Sequence, residues 1–419
     1  ITCFTGQHFN SFRLAEIAKN KMDPKPITIL GGPHPSAKPI DIQIISHYSQ
    51  IDFIIRGEGE KTIVELLAKL NSGEDLEIVK GITFSKNEKF LRTPDRETIE
   101  NLDSLPFPDY SFLDFSKTET LNDGRLSGYK HGKGFRFAPI ISSRGCPNKC
   151  QFCGIFLGKN VRFRSPENVV NEIESLYLNK KVNHFTFVDD CFNAALPRAQ
   201  KICALILERK LLITWTAIAR VKPISEDFLK LVKKSGCLAF NFGIESGSKK
   251  ILQSIGKNIV IDDVIKTFKL VKAAGIYSTA NFMVGNPGET SETINDTIKL
   301  IRKIKPPKID VGPTIILPNS ELHALAIKQH VIDDEYWLKN NNPPYYTAEY
   351  SADELRYFRI KILFFHYIFK SDIFSASRMA ILISGYHIIK IFNLKINETR
   401  DFLLRVPFIR SIIAKLKTD

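Results

Sequence analysis

The 419-residue sequence predicts an α/β chain in three parts: a partial doubly wound unit, a region of repeated strand–helix pairs, and a mainly helical C-terminal region. Three observations carry this. Near the start, short β-type runs end in glycine and lead into helical stretches, as in a parallel sheet whose ligands sit at the carboxyl ends of the strands. Between 136 and 320, strand and helix patterns alternate repeatedly. Within that region Leu229–Gly236 (LKLVKKSG) is echoed by Phe268–Gly275 (FKLVKAAG), each followed by a strand and a glycine-containing turn. Repeated βα units give that echo.

The front unit is read as residues 1–72. Thr28-Ile29-Leu30 runs into Gly31-Gly32-Pro33, and Asp52-Phe53-Ile54-Ile55 runs into Gly57-Glu58-Gly59-Glu60 ahead of a helix from Lys61 to Leu70. This is the later part of a Rossmann-like domain. Such a half sheet would expose an unpaired edge. The chain starts at Ile1 rather than Met, so a fragment or a processed product is expected. Residues 73–135 are loop-rich, carry Pro106 and Pro108, and read as a linker.

In 136–325 the expected strands are Ala138–Ser143, His184–Val188, Ile213–Ala217, Leu238–Ile244, Thr279–Val284 and Ile309–Ile316. Ser165-Pro166-Glu167 supplies an N-cap, a first-turn proline and an acid at the positive end of the helix dipole. Ser225-Glu226-Asp227 repeats that logic, and Gly236 and Gly275 suit positive-φ positions after helices. Six units make a partial TIM-type (β/α)6 barrel, open or closed, with its active site at the carboxyl ends of the strands. Residues 326–419 read as helical, with apolar runs such as Ile362-Leu363-Phe364-Phe365 interrupted by Arg405, Arg410 and Lys415. A helical cap on the barrel is the first reading; contact with a membrane surface or a lipid-like substrate through amphipathic helices is the second.

Hydrophobic residues make up 43% and charged residues 25%, a globular balance. The net charge of +14 comes from scattered lysines, which read as solvated surface, so no specific nucleic-acid partner is expected. Ile1-Thr2-Cys3-Phe4 does not resemble a signal peptide, and no run reaches about 18 apolar residues, so no membrane span is predicted. A disulfide framework belongs to short secreted chains. Clustered thiols in a long chain point to metal ligation in a reducing, cytoplasmic compartment, with a membrane-peripheral location as the second reading.

The chemistry concentrates in Cys146-Pro147-Asn148-Lys149-Cys150-Gln151-Phe152-Cys153, a C-x3-C-x2-C run just after a predicted strand. Three thiolates this close can wrap one soft metal centre. A structural zinc site closes with four ligands, whereas a [4Fe–4S] cluster on three cysteines leaves one iron open. A zinc site completed by a distant histidine and an incidental cysteine cluster are the alternatives.

This run, with its aromatic residue before the last cysteine and its place at the head of a βα-repeat region, resembles the radical S-adenosylmethionine (SAM) superfamily. The resemblance implies that Cys146, Cys150 and Cys153 hold a [4Fe–4S] cluster and that its open iron binds the amino and carboxylate groups of SAM. It implies reductive cleavage of SAM to methionine and a 5′-deoxyadenosyl radical, with electrons from a flavodoxin- or ferredoxin-type donor. Phe152 is then expected near the adenine. Asp189 and Asp190 form an acidic turn near the SAM amino group, although Cys191 stands where that turn often has asparagine. Glu245, in Gly243-Ile244-Glu245-Ser246, is expected at the ribose or methionine part, Arg220 at the carboxylate, and Gly285 and Gly288 in the turn beside the adenine.

Gly31-Gly32-Pro33-His34-Pro35-Ser36 and Gly57-Glu58-Gly59-Glu60-Lys61-Thr62 resemble the later half of the cobalamin-binding domain that precedes many such barrels. Gly31, Gly32, Gly57, Glu58 and Gly59 are the expected cobalamin contacts, while His34 reads as a turn residue rather than a cobalt ligand. The resemblance implies a cobalamin-dependent methyltransferase acting on an unactivated carbon of a small-molecule or lipid-like substrate. A cobalamin-linked radical cyclase or rearrangement enzyme is the alternative. A non-catalytic iron–sulfur redox sensor or carrier is the rival from another class.

Overall fold

A computed structural model of the chain describes residues 1–120, 135–154, 156–372, 375–377 and 379–383. The front unit runs α1 (His8–Lys21), β1 (Ile29–Gly31), α2 (Ile40–His47), β2 (Phe53–Ile55), α3 (Gly59–Ser72), β3 (Ile82–Lys86) and β4 (Lys89–Arg92). β1 and β2 pair parallel; β3 and β4 follow antiparallel. The stretch expected as a linker from residue 73 therefore supplies half of this sheet. Its hairpin turns at Asn87-Glu88, both at positive φ, the geometry that matches strand twist.

The edge expected to stand open beside β1 is covered by the first residues of the chain. Cys3 N–H donates to Gly31 O (2.7 Å) and Gly31 N–H to Ile1 O (3.0 Å). One apolar cluster of this unit gathers Phe12, Ala15, Leu30, Ile40, Ile44 and Ile54 around Trp337. Another gathers Phe53, Ile55, Leu66, Val79, Ile82 and Phe84.

The core continues with β5 (Phe137–Ile140), β6 (Ser143–Arg144), β7 (Arg162–Phe163), α4 (Pro166–Lys180), β8 (His184–Phe187), α5 (Leu196–Glu208), β9 (Thr214–Ala219), α6 (Glu226–Lys234), β10 (Cys237–Glu245), α7 (Lys249–Ser254), α8 (Ile261–Ala273), β11 (Tyr277–Val284), α9 (Ser291–Ile304) and β12 (Lys308–Pro313). Every expected strand is present within a few residues. Six of them form one all-parallel sheet in the order β12-β11-β10-β9-β8-β5. Among the described residues β5 and β12 are its two edges and do not pair, so the expected barrel is an open sheet. The helices form for the reasons the sequence suggests: Ser165 caps α4 and Ser225 caps α6 through their side chains, and Gly236 and Gly275 adopt positive φ.

The two faces of this sheet differ. Successive side chains on a strand point to opposite faces. Phe185, Phe187, Trp215, Phe240, Phe242 and Phe282 are fully buried in the large core. The alternate positions are polar and pair across strands: His184 Nδ1 with Thr214 Oγ1 (2.8 Å) and Thr186 Oγ1 with Thr216 Oγ1 (3.1 Å), with Asn241 and Asn281 further along. Strands buried on both faces read as near-continuous apolar runs. This alternation marks the polar face as the wall of a site.

The chain ends its described part with α10 (Glu321–Lys328), α11 (Tyr336–Lys339) and α12 (Ala352–Phe369). α12 packs on α9 and β12, and a Ser351–Glu354 capping box starts it. Residues 314–346 return to both units. Leu322 N–H donates to Gln151 O (2.9 Å), Tyr48 OH to Leu338 O (3.2 Å), and Trp337 enters the front core. Residues 384–419, with Arg405, Arg410 and Lys415, lie outside the described residues. Among the described residues no helix is long and apolar enough to cross a membrane.

Candidate active site

β6 and β7 pair antiparallel and close a loop, 145–161, that carries the three cysteines. Gly145 makes the closure: at φ +90 an added Cβ would lie 2.4 Å from Asn160 O. Gln151 N–H donates to Ile255 O (3.0 Å), Cys153 N–H to Cys150 O (3.1 Å) and Asn148 Nδ2 to Cys146 Sγ (3.1 Å). Phe152 is half-buried against Ile316, Leu322 and Tyr346.

Burial sorts the seven thiols. Cys3, Cys191, Cys203 and Cys237 are buried, whereas Cys146 and Cys150 are partly accessible and Cys153 is exposed. Burial pushes the Cys191 thiol up to about 11 and Cys203 up to about 12. Those buried thiols are inert. The accessible three are the available soft donors. Cys153 is open to solvent by area yet stands in a crowded recess, and that crowding, with the neighbouring Cys150 and Asp190, pushes its thiol up to about 11. Cys150 is also pushed up, by burial first, with Lys257 and Arg220 pulling against it. Among the described residues no three His, Cys, Asp or Glu converge as a single ion requires. Thiolates that each serve a different iron need no common point.

Ile255 and Gly256 pack against the loop, where a Cβ on Gly256 would lie 2.5 Å from Lys149 O, and this puts Lys257 and Glu245 beside it; the charges of Asp190 and Arg220 also bear on the loop thiols. Glu245 ends β10 at φ +67 after a bulge, and its carboxylate accepts from Lys257 Nζ (2.9 Å). Gly243 makes room for it, because a Cβ there would sit 2.4 Å from Glu245 Oε1. Buried Asn193 holds Arg220 by accepting from its N–H (2.8 Å) and donating to its carbonyl (2.9 Å). Lys257 and Asn193 were not read from the sequence. Neither belongs to a motif, and the polar alternation along the strands was the available signal for the inner face.

Asp189 is bound by its neighbours in the fold. It is 1% exposed, and its carboxylate accepts from Ser142 N–H (2.6 Å), Ser143 N–H (2.8 Å) and the Ser142 hydroxyl. It braces the backbone ahead of the cysteine loop; Asp190 is the exposed member of the pair. The 285–289 turn wraps its own acid: Glu289 Oε2 accepts from Gly285 N–H (2.5 Å) and Asn286 N–H (3.2 Å). Gly288 N–H donates to both Glu349 oxygens (2.9 Å each), while the space beside its α-carbon is open.

In the front unit, Gly57 lines a cleft of about 360 Å³ with Pro33, Ser36, Arg92, Gly154 and Phe156. The cleft lies past the carboxyl ends of β1 and β2, against Gly154 and Phe156 of the cysteine loop. Gly31 lies within β1 and Gly59 starts α3. Two of the residues expected at cobalamin, Gly32 and Glu58, have structural partners. At Gly32 a Cβ would lie 2.7 Å from Cys3 O, so its small size admits the chain's first residues. Glu58 accepts from Arg144, Arg162 and Ile99 N–H, each at 2.7 Å. Burial pushes its carboxyl up, but these donors together outweigh burial and hold it below the usual range. His34 is fully buried, stacked 4.2 Å from His8, with Nδ1 on Thr5 Oγ1 (3.2 Å).

Known proteins match the sequence and fold of this chain. The Radical SAM superfamily profile matches residues 140–301. An uncharacterized methyltransferase of Pyrococcus horikoshii is 33% identical over 344 residues, covering 81% of this chain and 71% of that protein. The chain belongs to the radical SAM superfamily. The anaerobic magnesium-protoporphyrin IX monomethyl ester cyclase of Rubrivivax gelatinosus is 29% identical over 342 residues, covering 80% of this chain and 59% of that enzyme. Among solved structures, the cobalamin-dependent radical SAM enzyme OxsB, with aqua-cobalamin and SAM bound, aligns with a TM-score of 0.69 at 17% identity. That match covers 98% of this chain and 66% of OxsB, and it shows a shared fold. The chain thus spans 59% to 71% of the length of these relatives.

Proposed function

We propose that this radical SAM protein is a cobalamin-dependent methyltransferase acting on an unactivated carbon of a small-molecule substrate. One observation carries the reading: the loop with the three accessible cysteines touches two sites. Its Gln151 binds Ile255, two residues before the Lys257 that pairs with Glu245, and its Gly154 and Phe156 line the cleft at Gly57 and Ser36.

Cys146, Cys150 and Cys153 would hold a [4Fe–4S] cluster, their soft thiolates suiting iron. Their Sγ protons leave as metal binds, which makes loading pH-dependent. Asp190, Arg220 and Glu245 would hold the charged and hydroxyl groups of SAM, with Lys257 fixing the Glu245 carboxylate. The Gly285–Gly288 turn would flank the adenine, with Phe152 beside it, and Pro33, Ser36 and Gly57 would wall a cobalamin. Bound together, these groups supply one-electron cleavage of SAM, hydrogen abstraction from the substrate, and a transferable methyl group. Residues 314–346, which pack against Phe152 of the loop, would help to shield the reacting groups from water. A flavodoxin- or ferredoxin-type protein is the proposed electron donor.

The likeness to the cyclase favours a second reading, oxidative ring closure. A carrier of electrons alone would leave the Glu245–Lys257 pair and the Glu289-centred turn without a use. The test is anaerobic reconstitution with methyl-labelled SAM, a strong reductant and candidate substrates. The expected outcome is 5′-deoxyadenosine together with a labelled methyl group in the product. Hydrogen loss from the product without label would instead select the cyclase reading. No 5′-deoxyadenosine from an intact cluster would overturn both. Cys150→Ala is expected to lose the visible absorbance of the cluster.

A further inference from the structure

In the β6–β7 pair that closes the cysteine loop, Arg144 stands opposite Arg162. One carboxylate from the front unit meets both. Glu58 Oε1 accepts from Arg144 Nη1 and Oε2 from Arg162 Nη1, each at 2.7 Å, with the Glu58 and Arg162 side chains 5% exposed. Oε2 also accepts from Ile99 N–H, and Arg144 Nη2 reaches Glu60 Oε1 at 2.5 Å. Arg162 further donates to Ile99 O (2.7 Å) and Leu157 O (3.1 Å). Charge-assisted bonds of this kind fix geometry as well as supplying energy. A buried ion pair adds little net stability over apolar packing, and its best-attested use is to specify one arrangement. The position matters here. Gly57, immediately before Glu58, lines the cleft, and Gly154 and Phe156 of the cysteine loop line it too.

We propose that Glu58 is a positioning residue that gauges the distance between the cysteine loop and the front cleft, so that the two cofactor sites face each other in register. This rests on the two-cofactor reading above.

The test uses Glu58→Gln, which keeps the size of the side chain and removes the counter-charge from both arginines. The first measurement needs no cofactor: hydrogen exchange over residues 57–60 and 143–163 of the full chain. Exchange there is expected to quicken on the order of tenfold while β9 to β11 are unchanged, since sub-global opening is local. Equal exchange in variant and wild type would overturn the gauge. The second measurement uses the loaded enzyme and counts methylated product per 5′-deoxyadenosine. Cluster absorbance and 5′-deoxyadenosine formation are expected to persist while that ratio falls on the order of tenfold, because small misplacements of reacting groups are costly. Glu58→Asp is expected to recover part of it. An unchanged ratio would overturn the positioning role. If the wild type never transfers label, the methyltransferase reading fails while the exchange measurement still decides the gauge. Should Glu58→Gln not fold, Arg144→Gln breaks one arm of the same contact and is held to the same two outcomes.

Discussion

Glu289, one residue past the Gly285–Gly288 turn, is in a state that the sequence alone does not show. In the fold it is 3% exposed, its Oε1 has no partner, and burial pushes its carboxyl up to about 7 from an ordinary 4.5. The folded chain therefore holds this proton more tightly than the unfolded chain. Below about pH 4.5 the group costs nothing; the cost grows as pH rises and is complete above about 7, on the order of 3 kcal/mol. Glu289→Gln is expected to remove that dependence, so that thermal melting at pH 5.5 and pH 8 differs less than in the wild type. The placing of Asp190, Arg220 and Glu245 at or just after strand ends was legible, because strand ends follow from local pattern. The bracing role of Asp189 was not, since its partners Ser142 and Ser143 lie far away in the chain.

At the scale of elements, strands and caps were legible because they depend on local pattern. The β3–β4 hairpin was missed because its Asn87-Glu88 turn lacks the glycine that usually announces one. The seating of α12 was also hidden, because it depends on a contact between distant residues. Gly285, at φ +81, faces Leu355 on α12, and an added Cβ would lie 2.5 Å from Leu355 Cδ2. Gly285→Ala is expected to cost about 1–3 kcal/mol in urea unfolding through overpacking. With Leu355→Ala in the same chain the loss should be smaller than the sum of the two single losses, because the second change vacates the clashing space. Strict additivity would separate α12 from the turn.

At the scale of the whole molecule, the three-part order was legible, but the return of residues 314–346 was not. An indole in a polar stretch gives no hint of its destination. Trp337 is 1% exposed and joins the front core with Leu30, Ile40 and Ile54. Trp337→Ala is expected to cost about 3–5 kcal/mol, read as a lowered melting midpoint and new protease cuts near residues 331–346. The same return segment has a consequence in time. A ribosome releases the chain from its amino end, and domains fold largely in that order. The cysteine loop is therefore complete while the segment that will wall it, and whose Leu322 grips Gln151, is still being translated. For that interval the loop lacks its bond to Leu322, so it is held less firmly than in the finished fold. The cysteine loop thus gains its last brace only after the rest of its setting has been made.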